Sequence, residues 1–237
     1  MKKIYILGSL FLGILGCCYF PAFGHRTEPP KESRYLQKIW FAEMPRQYTM
    51  KHSVTIYFTG PQLKQLDFLG YVMVKDGNFR LIAMNELGLT MLDLYAARGA
   101  DKPVIVRQWE QLGNAEIVKR IAKDIYYTFA SQYEIGAQPL IEYTTADHSP
   151  MFVATGPNCT WCAWEIKDQR PNKIRHGQQG SESASIAYDY TDGTVRDFPK
   201  RITFFYPASG IHVQIQILSL QAKEISDAKF IPTISPE

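Results

Sequence analysis

The sequence predicts a mainly β (α+β) fold, an antiparallel sheet accompanied by a single helix. Three observations predict it. Two hairpin signals follow one another between Thr49 and Tyr95, one segment after Asn114 carries helical periodicity, and the C-terminal third returns to strict apolar-polar alternation. The composition agrees: 237 residues, 46% hydrophobic, 13% aromatic and 21% charged, which excludes collagen-like, low-complexity and wholly disordered classes.

The chain begins with Met1-Lys2-Lys3, a positive n-region, and Ile4 to Leu15 is an apolar run of signal-peptide length, too short to span a bilayer. Ile14-Leu15-Gly16-Cys17 then resembles a bacterial lipobox, in which a small residue precedes the cysteine that receives diacylglycerol. Cys17 is therefore the expected lipidation site, with several acyl chains giving stable anchoring. The alternative is an ordinary signal peptide that contains a cysteine. By resemblance to Gram-negative lipoproteins, an Asp after the acceptor favours the inner membrane; Cys18 stands there, so the periplasmic face of the outer membrane is expected. The expected organisation is residues 1–16 as signal peptide, 17–32 as lipidated cysteine and tether, and 33–237 as one domain. The tether assignment rests on Pro21, Gly24, Pro29 and Pro30.

Removing Lys2 and Lys3 lowers the net charge of +3 to about +1, which argues against an electrostatic nucleic-acid partner. In the body, Val54, Ile56 and Phe58 share one strand face. Tyr71 to Val74 leads into Lys75-Asp76-Gly77-Asn78, a hairpin turn, and Phe79 to Met84 runs back. Asn85-Glu86-Leu87-Gly88 is a second turn, after which Leu89, Met91, Asp93 and Tyr95 oppose Thr90, Leu92 and Leu94; Val104 to Arg107 adds a short strand. Asn114 can cap a helix with Glu116 in its first turn. Ile117, Val118, Ile121, Ala122, Ile125, Tyr126, Phe129 and Ala130 follow at helical spacing, and the helix should stop before Gly136.

After a less regular stretch, strands are expected at Met151–Ala154, Thr160–Ile166, Ile186–Tyr190, Arg201–Tyr206 and Ile211–Leu220. In the last, Ile211, Val213, Ile215 and Ile217 oppose His212, Gln214, Gln216 and Leu218. Lys167 to Ser185, with Pro171, Gly177, Gly180 and a Gln-Gln pair, reads as a long exposed loop.

The segment from Phe79 to Leu94, through its Asn-Glu-Leu-Gly turn, with Ala96 and Gly99 downstream, resembles the centre of the outer-membrane receptors of the Lol lipoprotein-carrier (LolA/LolB-like) superfamily. A weaker echo lies at Asp197 to Thr203. The resemblance implies an incomplete antiparallel β-barrel, a strongly curved sheet with a covering helix around an apolar cavity for acyl chains. It further implies that Leu87, beside Gly88, is exposed and enters the membrane; the alternative is that Leu87 packs on its neighbours. Glu86 departs from the Pro common in that turn. Leu81, Leu92, Leu94, Ile202, Phe204, Val213, Ile215 and Leu218 are the candidate cavity residues.

Cys159-Thr160-Trp161-Cys162 is the motif with redox potential. A catalytic C-x-x-C wants a helix N-terminus, whereas Cys162, Trp164 and Ile166 alternate with Trp161, Ala163 and Glu165 in strand fashion. In an oxidising periplasm a local Cys159–Cys162 disulfide is expected, with free buried thiols as the alternative. Two cysteines and five scattered histidines do not make a zinc site, and Asp147-His148-Ser149 reads as a polar loop rather than a triad. No nucleophile elbow or phosphate loop is present. No cofactor, no metal and no enzymatic activity are expected.

Two functions follow. One is an outer-membrane-anchored lipoprotein that binds or transfers acyl chains or lipoproteins, working with a periplasmic carrier. The other is a structural lipoprotein that uses a filled core to dock onto an envelope complex.

Overall fold

In the computed structural model, residues 46–59, 64–98, 100, 102–109, 115–129, 140–145, 148–155, 160–168, 170–191 and 198–231 are described, together with the backbone of 25–31. The Met1 to Leu15 segment, Cys17, Cys18, Asn114, Ala130, Asp147, Asn158, Cys159 and Asp197 lie outside the described residues.

Alternation dictates the strands. Along β2 (Gln47–Phe58) and β4 (Asn78–Met84) every second residue is buried. β3 (Lys64–Lys75) lies between them, and β5 (Thr90–Ala96) and β6 (Val104–Gln108) complete one meander. The β3–β4 hairpin is closed by Asp76 and Gly77, at φ 48 and 89, the doubly left-handed geometry that a two-residue turn between twisted strands requires. The second meander runs through β7 (Leu140–Thr144), β8 (Pro150–Thr155), β9 (Thr160–Lys167), β10 (Arg170–Gln178), β11 (Ser181–Asp189), β12 (Arg201–Tyr206) and β13 (Ile211–Ala222). β13 pairs with β2 from Ile211↔Phe58 to Ala222↔Tyr48, and β1 (His25–Lys31) pairs with β7. The described strands form one thirteen-stranded antiparallel sheet, β1-β7-β8-β9-β10-β11-β12-β13-β2-β3-β4-β5-β6, not closed into a barrel.

This order explains the helix. β6 ends one edge and β7 lies next to the other edge, so the chain between them must cross the whole sheet; α1 (Ala115–Phe129) lies on that crossing. Val118, Ile121, Ala122, Ile125, Tyr126 and Phe129 turn their apolar stripe onto the inner face. The contacts of α1 also show the curvature. Tyr126 meets Phe79 of β4 edge-on at 5.5 Å, while Asp124, two residues away, lies 3.3 Å from His176 of β10. Those strands stand six places apart in the sheet, about 29 Å if it were flat, against a helix only about 10–12 Å thick. The sheet therefore wraps around the helix.

Three sequence expectations are corrected. Lys167–Ser185 is not a loop: most of it forms β10 and the start of β11, joined by a two-residue turn in which Gln179 and Gly180 both have positive φ, 51 and 80. Residues 25–31 of the expected tether form an edge strand, where the prolines at 29 and 30 remove no hydrogen bond an inner strand would need. The stretch read as irregular contains β7.

The C-terminal segment crosses the outer face. Lys75 Nζ donates to Ile225 O at 2.8 Å and pairs with Asp227 at the same distance, and Ile225 N donates to Gln47 Oε1. Arg80 grips Asp93 with two nitrogens, at 3.2 and 2.9 Å, and donates to Lys229 O at 2.7 Å. Ile225 is buried, as is Phe230 at the end of a short 3-10 turn (Asp227–Phe230).

Candidate functional site: the concave face and its covering helix

Seven of the eight candidate cavity residues, Leu81, Leu92, Leu94, Ile202, Phe204, Val213 and Ile215, point inward from β4, β5, β12 and β13. They join α1 in one continuous apolar cluster. Leu218 does not belong with them. A bulge between Ile217↔His52 and Ser219↔Lys51 leaves it as the extra residue, and it is 41% exposed; Leu220, opposite Met50, resumes the inner face.

The helix is held by three polar contacts that the sequence reading did not identify. Tyr206 Oη donates to Asp124 Oδ2 at 2.9 Å, His176 Nε2 lies 3.3 Å from Asp124 Oδ1, and Tyr48 Oη donates to Phe129 O at 2.5 Å. Asp124 is 3% exposed. A buried carboxylate needs such partners, since charge removed from water is costly unless paired and hydrogen-bonded. Burial above all, and the Asp124 carboxylate after it, hold the Tyr206 phenol well above its ordinary pKa, so it stays a donor. The signal for Asp124 was present: it is a carboxylate beside the apolar stripe, one residue before Ile125.

Cys162 lies opposite His176 across β9 and β10, so cysteine, histidine and aspartate converge. The arrangement does not activate a nucleophile. Burial first, and Asp124 second, push the Cys162 thiol well above its usual pKa, the reverse of what a reactive thiolate needs. Cys162 is partly buried and has no disulfide partner among the described residues; the pairing expected with Cys159 stays a prediction because Cys159 lies outside them.

His52 is a further inward polar residue. Neither ring nitrogen has a partner among the described residues, and its ring lies over Phe129 at 6.3 Å. Burial pushes its pKa down to about 4, so the ring is neutral.

At the sheet's rim, the Asn85 side chain organises the second turn. Its Oδ1 accepts from Leu87 N at 3.0 Å and Leu89 N at 2.9 Å, while Gly88, at φ 78, turns the chain. Leu87 is 83% exposed and Leu89 60%. The sequence singled out Leu87 and Gly88; Leu89 joins them because the turn opens before β5 begins.

No family model matches the chain, and no curated protein matches it. Solved structures do. A LolA superfamily protein from Nitrosomonas europaea superposes with a TM-score of 0.52 at 14% identity, over 84% of this chain and 96% of its own. A DUF1329 family protein from Desulfovibrio piger superposes with a TM-score of 0.57 at 9% identity, over 84% and 95%. At these identities the likeness is one of fold: the chain has the LolA/LolB-like architecture, an open, curved antiparallel sheet with a helix on its inner face.

Proposed function

We propose that this protein is an outer-membrane lipoprotein, anchored through Cys17 on the periplasmic face, that takes up acyl chains of lipids or lipoproteins between the inner face of its sheet and α1. The supporting observation is the cover that α1 gives the concave face. Leu81, Leu92, Leu94, Ile202, Phe204, Val213 and Ile215 lie beneath a helix that the sheet holds by an apolar stripe and three polar contacts. An acyl chain can replace that stripe with little change in buried apolar area, the dominant favourable term in either state. The fold shared with a LolA superfamily protein supports the same reading. The Asn85 turn, with Leu87 and Leu89 exposed, would touch the membrane while a periplasmic carrier delivers the cargo. The role is binding and transfer, without catalysis.

A structural role, docking onto an envelope complex with a filled core, is the second reading. The observation in its favour is that Leu94, Ile202, Phe204, Val213 and Ile215 are fully closed off from solvent. Native mass spectrometry of the full chain carrying Cys17→Ala, combined with an apolar dye, separates the two. Co-purified lipid, and dye displaced by an acylated peptide, are expected of the carrier. A protein that brings no lipid and binds no dye is the docking module.

A further inference from the structure

On the opposite side of the sheet from the proposed acyl site lies a second concavity, of about 570 Å³, formed chiefly by the outward residues of β13, β2, β3 and β4 beneath the C-terminal segment, with Met50 and Val72 also in its lining. Its floor is apolar: Tyr71 of β3 lies opposite Ile82 of β4, with Met73 and Met84 on either side of that pair. Its polar lining has one sign. Lys51 rises from β2, Lys223 and Lys229 come from the C-terminal segment, and no carboxylate lines it among the described residues. Arg80 also lines it but is committed to Asp93, so the three lysines supply the uncompensated positive charge.

We infer that this outer groove binds a monomeric anionic lipid, with one acyl chain along Tyr71, Met73, Ile82 and Met84 and its acidic head group among Lys51, Lys223 and Lys229. The chemistry narrows the occupant step by step. A small soluble anion would leave the apolar floor unused, and a neutral hydrocarbon would leave three lysines without a partner. An extended peptide cannot add a strand here, because all four strands are already paired on both edges. The volume lies within the range of small-ligand sites, about 300–1,000 Å³, rather than that of a long helix-binding groove.

The groove is also placed for lipid. Ile82 and Met84 run along β4 directly into the Asn85 turn with its exposed Leu87 and Leu89, and Leu218, turned outward by its bulge, joins the same face of the sheet. The inference stands apart from the proposed carrier role, since the two sites use opposite faces of the same strands. Val74 and Leu81 point in where Met73 and Ile82 point out.

The test uses the full chain carrying Cys17→Ala and palmitic acid bearing a photoreactive diazirine. Irradiation and residue-level fragmentation should place the label on Met73, Ile82 or Met84, not on Val74 or Leu81. The corresponding methyl ester should label the groove several-fold less. Lys51→Gln, Lys223→Gln and Lys229→Gln combined should weaken binding of the acid about tenfold without changing the melting temperature, because these side chains support no contact that holds the fold. Val213→Phe should leave this labelling intact, which keeps the result independent of the concave site. Label confined to inward residues, equal labelling by acid and ester, or an unchanged affinity in the triple variant would each overturn the inference. An acidic amphipathic peptide that displaces the probe while vesicle lipids do not would overturn it in favour of a protein partner.

Discussion

His52 fills the space that a side chain at Gly70 would occupy. The two residues face each other across β2 and β3, and a methyl group on Gly70 would stand 2.0 Å from His52 Nε2. The sheet can carry an imidazole inward at this point because its neighbour has no Cβ. Gly70→Ala should therefore destabilise the protein by roughly 1–3 kcal/mol, the usual cost of overpacking, even though its backbone conformation suits any residue. Combining it with His52→Ala should recover part of the loss. A double-mutant cycle by urea denaturation should give a coupling of about 0.5–3 kcal/mol, and strict additivity would contradict the contact.

The neutral, buried His52 makes stability depend on pH. Its pKa falls from 6.5 unfolded to about 4 folded, so between these values the unfolded chain binds more protons and stability drops as the solution is acidified. The loss should begin below pH 6.5 and level off below pH 4, amounting to on the order of 3 kcal/mol. His52→Leu should remove this component of the stability-pH profile while leaving the protein comparably stable at pH 8.

The thiol of Cys162 should alkylate slowly in the native state even at pH 9, because burial and Asp124 disfavour its thiolate. After denaturation without reductant two outcomes are distinguishable: an unreactive thiol and a mass lower by two hydrogens give the expected Cys159 bridge, and full alkylation gives a free cysteine. Replacing both with Ser should cost little, since so short a loop yields small entropic stabilisation.

How far the sequence foretold this arrangement depended on whether each residue obeyed its local pattern. The Asp76-Gly77 and Asn85–Gly88 turns were legible because left-handed positions demand Gly, Asn or Asp, and the strands beside them alternate cleanly. β10 was hidden for the opposite reason. Of its inward positions Ile174 is apolar, while His176 faces Asp124, and its other residues include Lys173 and Arg175. The polar contact that helps to hold the helix thus erased the alternation that would have revealed the strand. Leu218 was misplaced because a bulge shifts the phase of a strand without altering its composition. The helix was readable from its stripe, but its place on the concave face followed only from the strand order, which non-local pairing decides.

Leu87→Asp and Leu89→Asp address the membrane contact. Both side chains project from a turn held by Asn85, so neither change should lower the melting temperature. Full burial of a Leu contributes about 1.5–3 kcal/mol, so each substitution should weaken sedimentation of the Cys17→Ala protein with vesicles by about tenfold or more. If both variants sediment like the parent, the leucines do not enter the bilayer.

Asp124 offers the most direct control over the helix. Asp124→Asn keeps an oxygen that can accept from Tyr206 but removes the charge facing His176, and Tyr206→Phe removes the donor at 2.9 Å. The first loses the charge that strengthens the bond and the second loses the bond itself, worth about 1.5–3 kcal/mol when charge-assisted, so both variants should melt earlier. The carrier and docking readings agree on that much and part company over ligand. If α1 must move aside to admit an acyl chain, its hold on the sheet opposes uptake, and loosening it should raise the affinity for an apolar dye by up to the same free energy, about ten- to a hundredfold. Val213→Phe should act the other way, placing a ring where the chain would lie and lowering dye uptake more than stability. If the core has a single filled state, all three variants lose stability in proportion to their damage and none gains dye. The sign of the dye response in Asp124→Asn therefore decides between them: tighter binding from a less stable protein requires a helix that opens, and no gain assigns Asp124, Tyr206 and His176 to the permanent core.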